Sequence, residues 1–141
     1  MKLKTYLELH EAPIRAGIDE TEIYAFEQKN NIKLPSDFRD FLKLCDGFID
    51  YEKDDDGFRF WQLSETCLVS NYDNGKYKIE NPEDYLIFCD YLDFSWAYAF
   101  NVFNGKVLII GLDKEKPPVI SENFSDFINK YISGDNILYA A

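Results

Sequence analysis

The segment Leu34-Pro35-Ser36-Asp37-Phe38-Arg39-Asp40-Phe41-Leu42-Lys43-Leu44-Cys45-Asp46-Gly47 reads as an amphipathic helix with its start and stop written in. Phe38, Phe41, Leu42 and Cys45 recur at i, i+3, i+4 and i+7, which puts them on one stripe that needs a core to receive it. Pro35 excludes helical backbone at Leu34, and Gly47 can take the positive φ that closes a helix. Ser36 is the better N-cap residue, whereas Pro35 is most at home at the first helical position with Leu34 as a poor cap. The sequence leaves both open.

Upstream, Asp19-Glu20-Thr21-Glu22 carries a capping box flanked by Ile18 and Ile23 as a hydrophobic staple, so a helix is expected from about Glu20 to Asn30. Ile23 and Phe26 are its inward anchors, and Asn31, tolerant of left-handed backbone, ends it. A shorter helix carrying Leu3, Tyr6 and Leu7 precedes it and stops before Pro13.

Downstream, Phe58-Arg59-Phe60-Trp61-Gln62-Leu63 suits a strand, Ser64 and Glu65 suit the start of a short helix through Leu68 or Val69, and Asn71 to Glu83 reads as a polar excursion. Leu86-Ile87-Phe88-Cys89 is a buried strand. Trp96 to Val102 alternates into Asn104-Gly105, where a type I′ turn would pair Phe103 with Lys106, Val102 with Val107 and Phe100 with Ile109. Pro117-Pro118 forces an extended approach to Val119-Ile120. A last helix then carries Phe124, Phe127, Ile128 and Tyr131 on one stripe before Gly134. Helices first, antiparallel strands in the middle and a helix last define an α+β domain, its mainly antiparallel sheet packed against the N-terminal helices and the C-terminal helix. One domain is expected over residues 1–141.

Composition bounds the function. With 46% hydrophobic and 17% aromatic residues the chain has ample material for a core. Twenty-six acidic against fifteen basic residues give a net charge of −11, which repels nucleic-acid phosphates and speeds encounter with a basic protein. Cys45, Cys67 and Cys89 are dispersed among apolar neighbours and read as reduced, buried thiols. The N-terminal residues are charged too early for a signal-peptide core and no apolar run reaches membrane-spanning length, so a cytoplasmic protein is expected.

The order of these parts resembles the SUKH superfamily. The resemblance is carried by Ile23 to Glu27, by Ile32-x-Leu34-Pro35-x-x-Phe38-Arg39-x-Phe41-Leu42 with Asp46-Gly47, and by Tyr85 to Leu92, Ser95 to Ala99 and Val119-Ile120-Ser121-x-x-Phe124-x-x-Phe127-Ile128. Asn31 stands where that family often has Gly, and Asp46-Gly47-Phe48 where Asn-Gly-Gly is common. The resemblance implies a sheet packed on helices. It also implies bacterial immunity proteins that bind and neutralise a partner toxin, often a nuclease, with fungal relatives that regulate cell-wall assembly and signalling. The expected partner is therefore a basic toxin domain; the alternative is an intracellular regulatory or scaffold domain.

Enzyme chemistry finds no support in the residues. His10 is the single histidine and has no adjacent nucleophile motif. In Glu52-Lys53-Asp54-Asp55-Asp56-Gly57, setting Gly57 at position six of a calcium loop puts Leu63 at position twelve, where a bidentate Glu is needed. No metal or organic cofactor is expected, and none of the carboxylates is singled out as catalytic. Glu52, Asp54, Asp55 and Asp56 read as a solvated turn able to face a partner, and Trp61 and Trp96 as aromatic anchors beside it.

Overall fold

The computed structural model describes residues 1–112 and 116–139. In chain order the elements are α1 (Leu3–Leu9), β1 (Ile14–Ala16), α2 (Glu20–Asn30), α3 (Ser36–Leu44), β2 (Cys45–Phe48), β3 (Phe58–Phe60), β4 (Cys67–Leu68), β5 (Tyr85–Tyr91), β6 (Trp96–Asn101), β7 (Val107–Ile110), β8 (Val119–Ser121) and α4 (Phe124–Ser133). The architecture is α+β. An antiparallel sheet runs β3-β5-β6-β7-β8, with β4 pairing a second stretch of the same edge of β5, and β1 and β2 form a separate ribbon.

The amphipathic helix forms, with Phe38, Phe41 and Leu42 buried, but its ends differ from expectation. Pro35 is the flanking residue (φ −58°, ψ 146°), caps with no side chain, and passes its carbonyl to Arg39 N at 3.0 Å, so Ser36 is the first helical residue. At the other end Gly47 does not close the helix. Cys45 is already extended (φ −160°, ψ 125°) and α3 runs straight into β2, where Gly47 at φ +69° lies so near the backbone of Trp61 that a Cβ there would sit 2.4 Å away. Cys45 is still buried, but as a strand residue, and burial pushes its thiol up to about 12.

Asp19 caps α2 by accepting from Glu22 N at 3.0 Å, and Glu20 in the first turn forms ion pairs with Arg39 and Lys43. Asn31 ends α2 in left-handed conformation. The α2–α3 connection is locked by Glu27, a buried carboxylate accepting from Leu34 N (2.7 Å) and Arg39 Nη1 (2.6 Å). At the far end of the chain Asn123 caps α4 through Asp126 N, and Phe124, Phe127, Ile128 and Tyr131 are all buried.

Side chains alternate across the sheet except at a bulge in β5 between Ile87 and Cys89. Phe58, Phe60, Phe88, Tyr98, Phe100, Val107 and Ile109 face the helices and mesh with Phe38, Phe41, Phe124 and Phe127. Trp61, Ile87, Ala97, Ala99, Leu108 and Ile110 face the other way. That second face is also buried, because the excursion after Val69 folds over it and lays down Tyr72, Tyr77 and Ile79. The expected short helix beyond Ser64 is a 3-10 turn at Leu63–Glu65 followed by β4: Gln62 and Glu65 close it as a capping box, and Cys67 and Leu68 then find partners on β5.

The β6–β7 hairpin is shifted by two residues from the expected register: Phe100 opposes Val107 and Tyr98 opposes Ile109. Asn101 is the cause. Its Oδ1 accepts from Phe103 N and Asn104 N, at 2.8 and 3.1 Å, which holds a longer turn in place of the two-residue one. A two-residue shift preserves parity, so every side chain keeps its face.

Candidate functional site

Arg59 and Asp90 are direct cross-strand partners of β3 and β5, each set in an otherwise apolar strand. Strict alternation would aim Asp90 at the helices with Leu86 and Phe88. A bulge between Ile87 and Cys89 adds one residue and turns Asp90 to the second face, against Arg59. Asp90 Oδ2 there accepts from Arg59 Nε and Nη2, both at 3.0 Å, and from Trp61 Nε1 at 2.7 Å, while Arg59 Nη1 reaches Glu65 at 3.1 Å. Arg59 is 4% and Asp90 1% exposed. Burial is the largest influence on Asp90 and lifts its carboxyl above the usual carboxylate range, against the Trp61 hydrogen bond and the Arg59 charge.

Two surface turns rest on this pair. The guanidinium of Arg59 lies 4.9 Å from the ring centre of Tyr51, 5.4 Å from that of Trp61 and 5.5 Å from that of Phe94. Tyr51 belongs to the turn between β2 and β3, and Phe94 to the turn between β5 and β6. The second turn is pinned from below by Asp90 Oδ1, which accepts from Phe94 N at 3.2 Å. The turns are also tied to each other, by Leu92 N donating to Gly57 O (2.9 Å) and by a Lys53–Asp93 ion pair (3.0 Å). Asp50, Tyr51, Leu92, Asp93 and Phe94 all take positive φ. For bulky residues that conformation costs about 1–2 kcal/mol each and persists only where surrounding contacts over-determine it.

The residues expected at an interface do not share one environment. Glu52, Asp55 and Asp56 are exposed. Asp55 faces α1, where His10 Nδ1 lies 3.3 Å from its carboxylate. Asp54 is not part of a solvated turn: it is buried, and it accepts from Asp56 N (3.0 Å), Phe58 N (2.9 Å) and the Tyr131 hydroxyl (2.5 Å). It thereby organises the turn around itself and fastens it to α4. Burial raises its carboxyl, against those hydrogen bonds, and burial together with the Asp54 charge holds Tyr131 as a neutral phenol. Trp61 is likewise inside, as the donor to Asp90. Trp96 is half-buried, stacked on Tyr91 at 4.7 Å and donating to the Tyr98 hydroxyl at 2.9 Å.

Sequence reasoning missed Arg59, Asp90, Tyr51, Leu92 and Phe94. A signal for the first two existed, in that each is a lone charge inside an apolar strand and the charges are opposite. Among the described residues no group of three His, Cys, Asp or Glu side chains could hold a metal ion. No helix among them is long and apolar enough to cross a membrane. At the opposite end of β6 the hairpin tip carries Phe103, 82% exposed, beside a shallow cleft with Lys33, Pro35 and Asn104.

The model of the SMI1 / KNR4 family (SUKH-1) matches residues 17–130, from two residues before the α2 cap into α4. The chain belongs to this family. No curated protein matches it.

Proposed function

We propose that this chain is a non-enzymatic, protein-binding immunity protein of bacterial type, acting in the cytoplasm and neutralising a basic toxin domain by covering its active site or substrate groove. Membership of the SMI1 / KNR4 family (SUKH-1) over residues 17–130 is the observation that carries this reading. The net charge of −11 supports it, since an acidic field accelerates capture of a basic partner. So does the pinning of the two surface turns, which spares the partner the entropic cost of ordering them.

The test is coexpression with the toxin domain encoded beside the chain's gene. Cells carrying both should grow where cells carrying the toxin alone do not, and the two purified proteins should form a stable complex whose toxin is inactive. Growth arrest despite coexpression, with no complex by size-exclusion chromatography, would overturn this reading and favour a regulatory or scaffold domain of the cell-wall-regulator kind.

A further inference from the structure

We propose that Tyr51, Leu92 and Phe94, framed by Asp50, Glu52 and Asp93, form the docking surface for a partner protein whose contacting segment mixes arginine or lysine with apolar side chains. The inference rests on the protein-binding reading above and names the face and the chemistry it uses. Tyr51 is 70%, Leu92 47% and Phe94 40% exposed, so three large side chains stand in solvent on two adjoining turns. Isolated exposed apolar residues need no explanation, but two rings packed over a buried Arg59, held with Leu92 in positive φ on turns joined by the Leu92 N to Gly57 O bond, are a costly way to build a loop.

Charge selects the occupant. Among the described residues Asp93 pairs with Lys53, whereas neither Asp50 nor Glu52 forms an ion pair. A partner that buries the aromatic ridge strips water from those carboxylates and must return charge to them. A second copy of this chain would instead set acid against acid, and a nucleic acid would set phosphate against acid. A basic segment with apolar side chains satisfies both demands: aliphatic stems and rings lie on Tyr51, Leu92 and Phe94, and the charged heads reach the acidic frame. Arg59 is spent on Asp90 and Glu65 and does not neutralise that frame.

The experiment has two arms. In the first, amide resonances are followed while a synthetic peptide alternating Arg with Leu is added, with oligolysine and a Glu/Leu peptide as controls. Perturbations are expected to gather at residues 49–53 and 91–95 with the Arg/Leu peptide alone; an even spread over the acidic surface, or gathering at the Phe103 hairpin, would overturn the proposal. In the second arm, Tyr51→Ser combined with Leu92→Asn should lower affinity for that peptide and for the neighbouring toxin domain by about tenfold or more, mainly through faster dissociation. Asn tolerates the backbone of Leu92, so the melting temperature should hold, which a merely structural role for Leu92 would not allow. Should that variant lose its fold, Asp50→Asn with Glu52→Gln, both exposed, is expected to slow association several-fold at low salt and flatten its salt dependence. Unchanged affinity and unchanged rates in the folded variants, or loss of wild-type self-association in them by sedimentation, would overturn the surface. If the wild-type chain does not bind the toxin domain, the immunity reading falls, while the peptide arm still decides the surface.

Discussion

The two faces of the main sheet are both buried, yet they are closed in opposite ways. On one, α3 and α4 lay Phe38, Phe41, Phe124 and Phe127 onto Phe60, Phe88 and Phe100, and ring-to-ring contacts between about 5 and 6 Å run through the whole layer. On the other, small Ala97 and Ala99 leave room for an irregular cover, and a salt-bridged pair, Arg59–Asp90, sits beneath it. The first face draws its stability from area removed from water and from close packing. The second pays desolvation of two charges for a fixed platform, and the platform is what holds the Tyr51 and Phe94 turns in place. The contrast teaches that the fold is secured by the helical face, and the surface chemistry is shaped by the other.

The largest effects should separate the faces by their pH dependence. Phe38→Ala removes a ring that is 1% exposed and touches Phe41, Phe88, Phe100 and Phe124, and is expected to cost about 3–5 kcal/mol in denaturant titration. The rings it meets are all phenylalanines, so the loss is expected to be the same at acid and neutral pH. Arg59→Met fills the second face with a similar volume but leaves Asp90 buried without its cation, at a cost of about 3 kcal/mol near neutral pH. Asp90 already has a raised carboxyl, and removing Arg59 raises it further. A raised folded-state pKa gives stability that is present below the ordinary carboxylate value and lost as pH rises through the folded one. The Arg59→Met deficit should therefore be small in acid and grow toward neutrality; a deficit independent of pH would break the distinction between the faces.

Asp54 sharpens it with the opposite sign. It serves the helical face through Tyr131, and its carboxyl is raised by burial. Asp54→Asn keeps an acceptor for Phe58 N and Asp56 N but disturbs the Tyr131 bond, for about 1–2 kcal/mol. Wild type loses stability as Asp54 ionises with rising pH, and the amide cannot ionise. The deficit should hence be largest in acid and shrink toward neutrality, as read from unfolding curves of both proteins across that range.

Legibility in the sequence follows the same division. The helical face announces itself because an amphipathic helix repeats: Phe38, Phe41 and Leu42, then Phe124, Phe127, Ile128 and Tyr131, can each be placed from spacing alone. The family resemblance rests on these segments together with Ile23 to Glu27, Tyr85 to Leu92 and Ser95 to Ala99, and the match over residues 17–130 bears it out. The second face shares the alternation of its strands, but what closes it carries no period. Its cover is a polar excursion whose tyrosines are positioned by the sheet below, and its central charges are 31 residues apart and meet through a bulge that no local pattern specifies. Asp54 misleads for a related reason. Four acids within five residues look like a solvated turn, and only the fold shows that one of them points inward to accept three hydrogen bonds.

The smallest expected effect concerns the cover itself. Residues 71–84 have no sheet pairing; apart from Pro82 O, which accepts from Ser70 N, and Asp84 O, which accepts from Val102 N, their backbone bonds are short-range turns such as Gly75 N to Tyr72 O at 2.9 Å. What fastens them is the stack of Tyr72 on Tyr77, 5.6 Å apart and nearly parallel, with Tyr72 against Trp61 and the Tyr77 ring over Gly111. Gly111 has φ +91°, and a Cβ there would come within 3.1 Å of the Tyr77 ring, so the cover is seated in a slot only glycine leaves open. Such a segment opens locally at a lower free energy than the sheet, because closing it again needs only a few apolar contacts. Amide exchange should accordingly be much faster at residues 71–80 than at Leu86 to Asp90. Tyr77→Ala should speed it further while shifting global stability by no more than about 1 kcal/mol, since the ring is only half-buried and the β-ladder beneath is intact. If Tyr77→Ala instead lowered global stability as much as Phe38→Ala, the cover would be part of the cooperative core, and the two faces would be one folding unit closed by different chemistry.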